Sequence, residues 1–268
     1  MLLQNKSAII YGAGGVGSAI ARAFALQGAR VFLAGRTLAK VEAVANEIVK
    51  AGGTAEAAQV DALDERSVEQ HADDVVRKAG RIDISFNSVG IPGERVAEHN
   101  MQGVPFVRLP LDSFVEPITT YTRANFLTAR AAARRMLDGK HSGAILMHTP
   151  EPARIGAKLL GGMAPAWAAM EALSRGLSSE LASHGIRVVC LRTTGLPETH
   201  TIDVIFGVHA KALGIASAQF RAILEGMTHR NRSTSLAELA NTAVFLASDL
   251  GTGMTGTVAN LTGGIIVD

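Results

Sequence analysis

Cysteine is almost missing from this sequence: Cys190 is the only one in 268 residues. No intrachain disulfide can form, and a chain of this size buries enough surface to do without one. A reducing, cytoplasmic compartment is the expected home. Aromatic residues make up 4%, too few for the stacking platforms that hold single-stranded bases. No charge sign dominates, with 26 basic and 24 acidic side chains, so nothing draws the chain as a whole toward nucleic acid or a membrane surface. The densest basic cluster, His229-Arg230-Asn231-Arg232, reads as a solvated loop. Apolar runs of membrane-spanning length are lacking, and so is the opening pattern of a signal peptide. There is no internal repeat and no low-complexity stretch.

Several reaction classes fall away on the same ground. There is no Gly-x-Ser-x-Gly elbow to present an acyl nucleophile. There is no Gly-x-x-x-x-Gly-Lys loop to cradle a nucleoside triphosphate. The eight histidines show no His-x-x-x-His with a Glu, and one cysteine makes no zinc site, so no metal is expected.

What is present is alternation. Residues 7–11, 31–34, 55–60, 82–87, 144–148, 186–191 and 257–261 are strand-like. Between them lie helical stretches over 18–27, 38–51, 64–79, 118–137, 165–184 and 236–248, several closed by glycine and the third capped near Asp64. Strand and helix in strict alternation imply one α/β domain over 1–268, a doubly wound, Rossmann-like parallel sheet of about seven strands. Uniformly apolar strands fit a sheet buried on both faces. Pro92, Pro105, Pro110 and Pro117 make 90–117 read as loop. The stretch 193–234 is irregular, with short helical pieces around 202–213 and 218–227, and its 196–233 part is expected to form a substrate loop or lid.

Chemistry concentrates at the strand ends. Gly12-Ala13-Gly14-Gly15-Val16-Gly17 follows the first strand and opens a helix, the context in which G-x-G-x-x-G carries meaning. Its glycines permit a tight turn and close approach of backbone to a pyrophosphate, and the helix N-terminus supplies free N–H groups. An acid at the end of the second strand would hold both ribose hydroxyls and repel a 2′-phosphate. The chain has Gly35-Arg36 there and no acid before Glu42. Arg36 can fork onto a phosphate, with Lys40 one helical turn on. NADP(H) is therefore expected in preference to NAD(H).

Asp61 ends the third strand, Asn87-Ser88-Val89-Gly90 the fourth, and Asn125 lies in a later helix. With the glycine turn, and with 236–249, Met254-Thr255-Gly256 and Gly263-Gly264 in order behind them, this set resembles the short-chain dehydrogenase/reductase family over nearly the whole chain. The resemblance implies that Gly12, Gly15 and Gly17, with Gly14 and Val16 in the same turn, hold the pyrophosphate. It implies that Asp61 and Ala62 face the adenine, that Asn87 and Gly90 shape the ribose site, and that Asn125 holds a water beside the active site. It further implies a small-molecule substrate and a homodimer or homotetramer. The alanines 124, 129, 131, 132 and 133, and 164, 166, 168, 169 and 172, give two helices small sides suited to meeting across a two-fold axis.

Two departures stand out. The first glycine turn is shorter than the family's, with only Ala13-Gly14 before the Gly-x-Gly pair, and Tyr11 replaces the usual Thr. The second lies in the chemistry. The family resembles a general-acid Tyr with a Lys one turn later and a Ser about thirteen residues earlier, the Lys lowering the Tyr pKa. Here those positions fall on Met163, Trp167 and Pro150, and neither tyrosine, Tyr11 or Tyr121, is followed by a Lys four residues on. Met163 has no proton to give, and Trp167 should crowd the nicotinamide ribose. His148 and Thr149 are the nearest polar candidates for a replacement, and Glu151 is another. Three readings stay open: a carbonyl reductase or alcohol dehydrogenase with an altered active site, a cofactor-binding sensor or partner subunit without turnover, and a lyase or isomerase on the same fold.

Overall fold

The computed structural model describes residues 1–267. Seven parallel strands form one sheet: β1 (Ser7–Tyr11), β2 (Arg30–Gly35), β3 (Thr54–Gln59), β4 (Ile84–Asn87), β5 (Gly143–Pro150), β6 (Ile186–Thr193) and β7 (Val258–Leu261). Their spatial order is β3-β2-β1-β4-β5-β6-β7. The order reverses between β1 and β4, the place where a sheet of this kind opens a crevice at its carboxyl edge. The helices among the described residues are α1 (Gly15–Leu26), α2 (Leu38–Lys50), α3 (Glu65–Ala79), α4 (Gly93–Glu98), α5 (Leu111–Asp138), α6 (Met163–Leu181), α7 (His200–Leu213), α8 (Ser217–Gly226) and α9 (Leu236–Ala247). No single helix among the described residues is long and apolar enough to cross a membrane.

Period-two alternation divides the core. Ile10, Leu33, Leu146 and Leu191 point to one face and pack with Phe24 of α1 and Leu239 of α9. Ile9, Phe32, Ile145 and Val188 point to the other, against Val68 of α3 and the alanines of α5. Those alanines, Ala124, Ala129, Ala131, Ala132 and Ala133, are thus buried in the chain's own core, where their size lets α5 lie close to the sheet. A third, smaller cluster of Ile91, Val96, Met101, Met163, Trp167, Met170 and Ile205 gathers where β4 ends and α6 begins.

Local signals account for the element ends. The Asp64 carboxylate accepts from the N–H groups of Arg66 and Ser67, and Gly80 closes α3 in the left-handed region at φ +83°. Ser235 and Glu238 form a reciprocal cap at the start of α9. At its far end the Arg187 guanidinium donates to the carbonyls of Leu246, Ser248 and Gly251, which the helix itself cannot satisfy. A row of arginines on α5 (Arg130, Arg134, Arg135) pairs with Glu65, Glu69 and Asp73 of α3.

The proline-rich segment departs from expectation. Pro92, Pro105 and Pro110 sit with φ near −60° and extended ψ immediately before helical turns. Proline has no N–H to lose there, so it leads into helix where the sequence suggested loop. As a result α5 begins at Leu111 and carries Pro117 inside it. The strands are also less uniform than expected. β3 is an edge, half-exposed along its length, and its Glu56 pairs with Arg30 and Lys78.

β5 runs to Pro150, beyond the expected 148, and this places His148 and Thr149 inside the strand on opposite faces. Thr149, wholly buried at 0% exposure, donates its hydroxyl to Glu171 Oε1 at 3.0 Å. Glu171 in turn takes a two-pronged bond from Arg192, Nε to Oε1 at 2.8 Å and Nη2 to Oε2 at 2.7 Å. Both charged side chains are buried between β6 and α6. Removing one partner strands the other charge, so Arg192→Met should lower unfolding stability by about 3–5 kcal/mol. The double variant Arg192→Met/Glu171→Leu should recover most of that loss, and urea unfolding of the two reads the difference.

Candidate dinucleotide and active site

β1 ends in a turn whose spacing only glycine allows. Gly12 has φ +99° and donates its N–H to the Ala34 carbonyl at 2.7 Å. A Cβ on Gly17 would stand 1.9 Å from the Gly12 carbonyl oxygen and 2.5 Å from Ser88 Oγ. The first turn of α1 therefore rests directly on the end of β1, pinned from β4 by the Ser88 hydroxyl, which donates to the Tyr11 carbonyl at 3.0 Å. Gly14 faces open space. It caps α1 without any side-chain bond, and the first turn carries no acid, so the helix presents uncapped N–H groups to an anion. On the outer side, the Thr199 methyl lies 2.7 Å from where a Gly15 Cβ would be. This cradle fits the pyrophosphate of a dinucleotide.

The neighbouring strand ends supply the rest of such a site. Arg36 and Lys40 are exposed beyond β2, and the Arg36 carbonyl accepts from Gln59 at the end of β3. Asp61 is exposed, with Oδ1 accepting from the Leu63 N–H, while Ala62 is buried. Asn87 joins β4 to α5: its Nδ2 donates to the Ala124 carbonyl and Thr128 Oγ1, and its Oδ1 accepts from the Val89 N–H. Asn125 donates to the Tyr121 carbonyl at 2.9 Å, and its buried Oδ1 has no partner among the described residues. That free acceptor is suited to an ordered water.

The candidates for proton transfer are placed very differently. Met163, 1% exposed, and Trp167, 9% exposed, belong to the apolar cluster. The Trp167 ring meets Tyr121 edge-on with centroids 6.2 Å apart. Burial raises the Tyr121 pKa, opposed by the Ile91 backbone and the Trp167 indole at its hydroxyl, and that hydroxyl lies over Gly90. His148 Nε2 sits 2.8 Å from Thr193 Oγ1. The Thr193 hydroxyl donates to the Thr194 carbonyl, so its oxygen accepts from Nε2–H, an assigned tautomer with the ring neutral. Burial lowers the His148 pKa to about 4. Thr149 spends its proton on Glu171.

Glu151 is the exception. It lies on the 3-10 turn Glu151–Ala153 that follows β5 and packs on α6. Its residue is 8% exposed, its Oε2 has no partner, and burial raises its pKa to about 7, its own backbone N–H pulling more weakly the other way. Sequence reasoning marks Glu151 by its place beside Pro150. The role of Tyr121 as the ring against Trp167 has no local signal beyond its position one turn before Asn125.

Comparison with known proteins agrees with this architecture. A family model described as Enoyl-(Acyl carrier protein) reductase matches residues 12–265. An uncharacterised oxidoreductase of Bacillus subtilis is 32% identical over 265 residues, 98% of this chain and 92% of that protein. L-rhamnose 1-dehydrogenase (NAD(P)(+)) of Azotobacter vinelandii is 30% identical over 275 residues, 100% of this chain and 99% of that one. A solved short-chain type dehydrogenase/reductase from Mycobacterium marinum superposes with a TM-score of 0.84 at 28% identity, covering 99% of this chain and 97% of that one. Sorbitol-6-phosphate 2-dehydrogenase of Erwinia amylovora reaches a TM-score of 0.89 over 97% of this chain and 100% of that one; at 24% identity it speaks for the fold alone.

The glycine turn makes a direct prediction. Gly17→Ala should destabilise the protein by about 1–3 kcal/mol through overpacking against the Gly12 carbonyl. Gly14→Ala, which faces open space at φ −75°, should stay within about 0.5 kcal/mol of the parent. Thermal unfolding of the two variants side by side measures the contrast.

Proposed function

The chain belongs to the short-chain dehydrogenase/reductase family, and from that premise we propose that it is an NADP(H)-preferring oxidoreductase that interconverts a carbonyl and an alcohol through an altered active site. The observation that carries this reading is the cradle at Gly12 and Gly17 with the uncapped start of α1 beside it. Gly12, Gly14, Gly15, Val16 and Gly17 would hold the pyrophosphate. Asp61 and Ala62 would flank the adenine, and Asn87, Gly90 and Trp167 the nicotinamide ribose. A bound nicotinamide supplies hydride chemistry, which needs a positioned carbonyl more than it needs protein functional groups. Asn125 would hold a water at the site through its free Oδ1.

The packed apolar cluster of Ile91, Met101, Met163, Trp167, Met170 and Ile205, which includes the two positions of the family's Tyr and Lys, supports a substrate with an apolar body next to its carbonyl, in contrast to the sugar in the name of the Azotobacter relative. A homodimer or homotetramer belongs to the same proposal, but the α5 alanines expected to meet across its two-fold axis are spent in the chain's own core and supply no contact for it. The second reading, a cofactor-binding protein without turnover, draws its support from Met163 and Trp167 at the positions of the family's Tyr and Lys.

Cofactor choice is the first test. Trp167 is the only tryptophan, so its emission reports on the site it lines. Titration of that emission should show NADPH binding more tightly than NADH, by the about 1.5–3 kcal/mol of a charge-assisted contact to the 2′-phosphate. Arg36→Ala should erase most of the difference. Equal affinities in the unmodified protein would sink the preference, and absence of binding would sink the function.

A further inference from the structure

We propose that the Glu151 carboxyl is the group that exchanges a proton with the substrate oxygen, in the place the family gives to tyrosine; the assignment rests on the reductase reading above. Three geometric facts carry it. Glu151 follows Pro150 directly at the carboxyl end of β5, on a turn that packs against the helix bearing Met163 and Trp167. The next residue but one, Ala153, joins the apolar cluster around those two side chains. Finally, Glu151 Oε2 is buried with no hydrogen-bond partner among the described residues, an arrangement that is costly unless something else uses the oxygen.

The other polar groups nearby are already engaged. Thr149 donates to Glu171, and His148 is held neutral against Thr193. On α6, which packs on the Glu151 turn, Glu171 is neutralised by Arg192. Neither Arg175 and Glu180 of α6 nor Arg154 and Lys158 of the following segment forms an ion pair with Glu151; the described ion pairs do not include it. An isolated, desolvated carboxyl is held in its protonated form toward neutral pH, where a general acid is most effective.

The step balances as follows. A bound reduced nicotinamide dinucleotide would supply the hydride to the carbonyl carbon, and the C=O π pair would move to oxygen. That oxygen takes the proton from Glu151 Oε2, so the carbonyl is reduced to an alcohol while the dinucleotide is oxidised. The carboxylate left behind regains its proton from water. In the reverse direction the carboxylate accepts the alcohol proton.

The test pairs a titration with turnover. Protein carrying ¹³C-labelled glutamate carboxyls should show one resonance titrating near neutral pH, and that resonance should vanish in Glu151→Gln. NADPH oxidation with a panel of apolar aldehydes and ketones should fall roughly 10²–10⁴-fold in Glu151→Gln, with NADPH affinity unchanged by Trp167 emission. The loss of wild-type rate as pH rises through the carboxyl's titration should flatten in the variant. Glu151→Asp, which keeps a carboxyl and guards against a folding artefact, should retain part of the rate. An unmodified protein that oxidises no NADPH with any carbonyl overturns the reductase reading and takes this assignment with it. An unmodified protein that turns over while Glu151→Gln is equally active, or while no carboxyl titrates near neutrality, overturns the assignment alone.

Discussion

Everything at the carboxyl edge of the sheet depends on how closely α1 approaches the end of β1. With no side chain on Gly17, the helix settles onto the Gly12 carbonyl, and that contact fixes where the helix axis points. Its uncapped start then stands at the carboxyl edge of the sheet, where the strand order reverses between β1 and β4. The other parts of the site are positioned relative to the same contact. Ser88 ties β4 to it by bonding the Tyr11 carbonyl, and Asn87, one residue earlier, ties β4 to α5. A helix displaced by the width of one methyl group would put the glycine turn out of register with Asn87 and Ser88, because they share this anchor.

Around the candidate active site the buried charges are few and mostly paired. The positions where family resemblance places a phenol and an ammonium carry Met163 and Trp167, and the wall there is apolar. One helical turn below Trp167, on the same face of α6, Glu171 is locked to Arg192 and to Thr149. The strong charges are thus paired and withdrawn beneath the wall, while one unpaired carboxyl, Glu151, stays beside it. In a low-dielectric setting without counter-charge a carboxyl is held neutral, which is how burial alone can turn an ordinary acid into a proton donor. The two features support one another: were Arg192 free of Glu171, its field would favour the ionised form of any carboxyl nearby.

Much of this was legible in the residues themselves. Short apolar runs marked most of the strands, Asp64 and Gly80 bracketed α3, and Gly12 to Gly17 marked the turn, because each signal is local and the chain obeys it locally. The proline-rich stretch misled because proline breaks a helix interior yet suits the position just before one, and Pro92, Pro105 and Pro110 all hold that position. Two residues of extra strand at the end of β5 were invisible to pattern, and they decide which way His148 and Thr149 face. The Thr149–Glu171–Arg192 bonds join a strand, the next long helix and the strand after it at separations of 22 and 21 residues, and no periodicity announces such a pairing. For Glu151 the sequence showed a carboxyl in a suggestive place; its burial and its vacant oxygen came only from the packing of the turn on α6.

Thr199 joins two parts of the molecule that sequence keeps far apart. Its methyl group covers the Gly15 edge of the glycine turn, and its hydroxyl accepts from the Ile202 N–H as the cap of α7. α7 in turn packs on α4, with Val204 against Gly93. Whatever settles on the glycine turn meets the residue at which α7 begins, and whatever orders α7 shapes the edge of the turn. A ligand on one region that shifted Thr199 would be felt at the other, and by reciprocity each would tighten the other only as much as it is tightened in return.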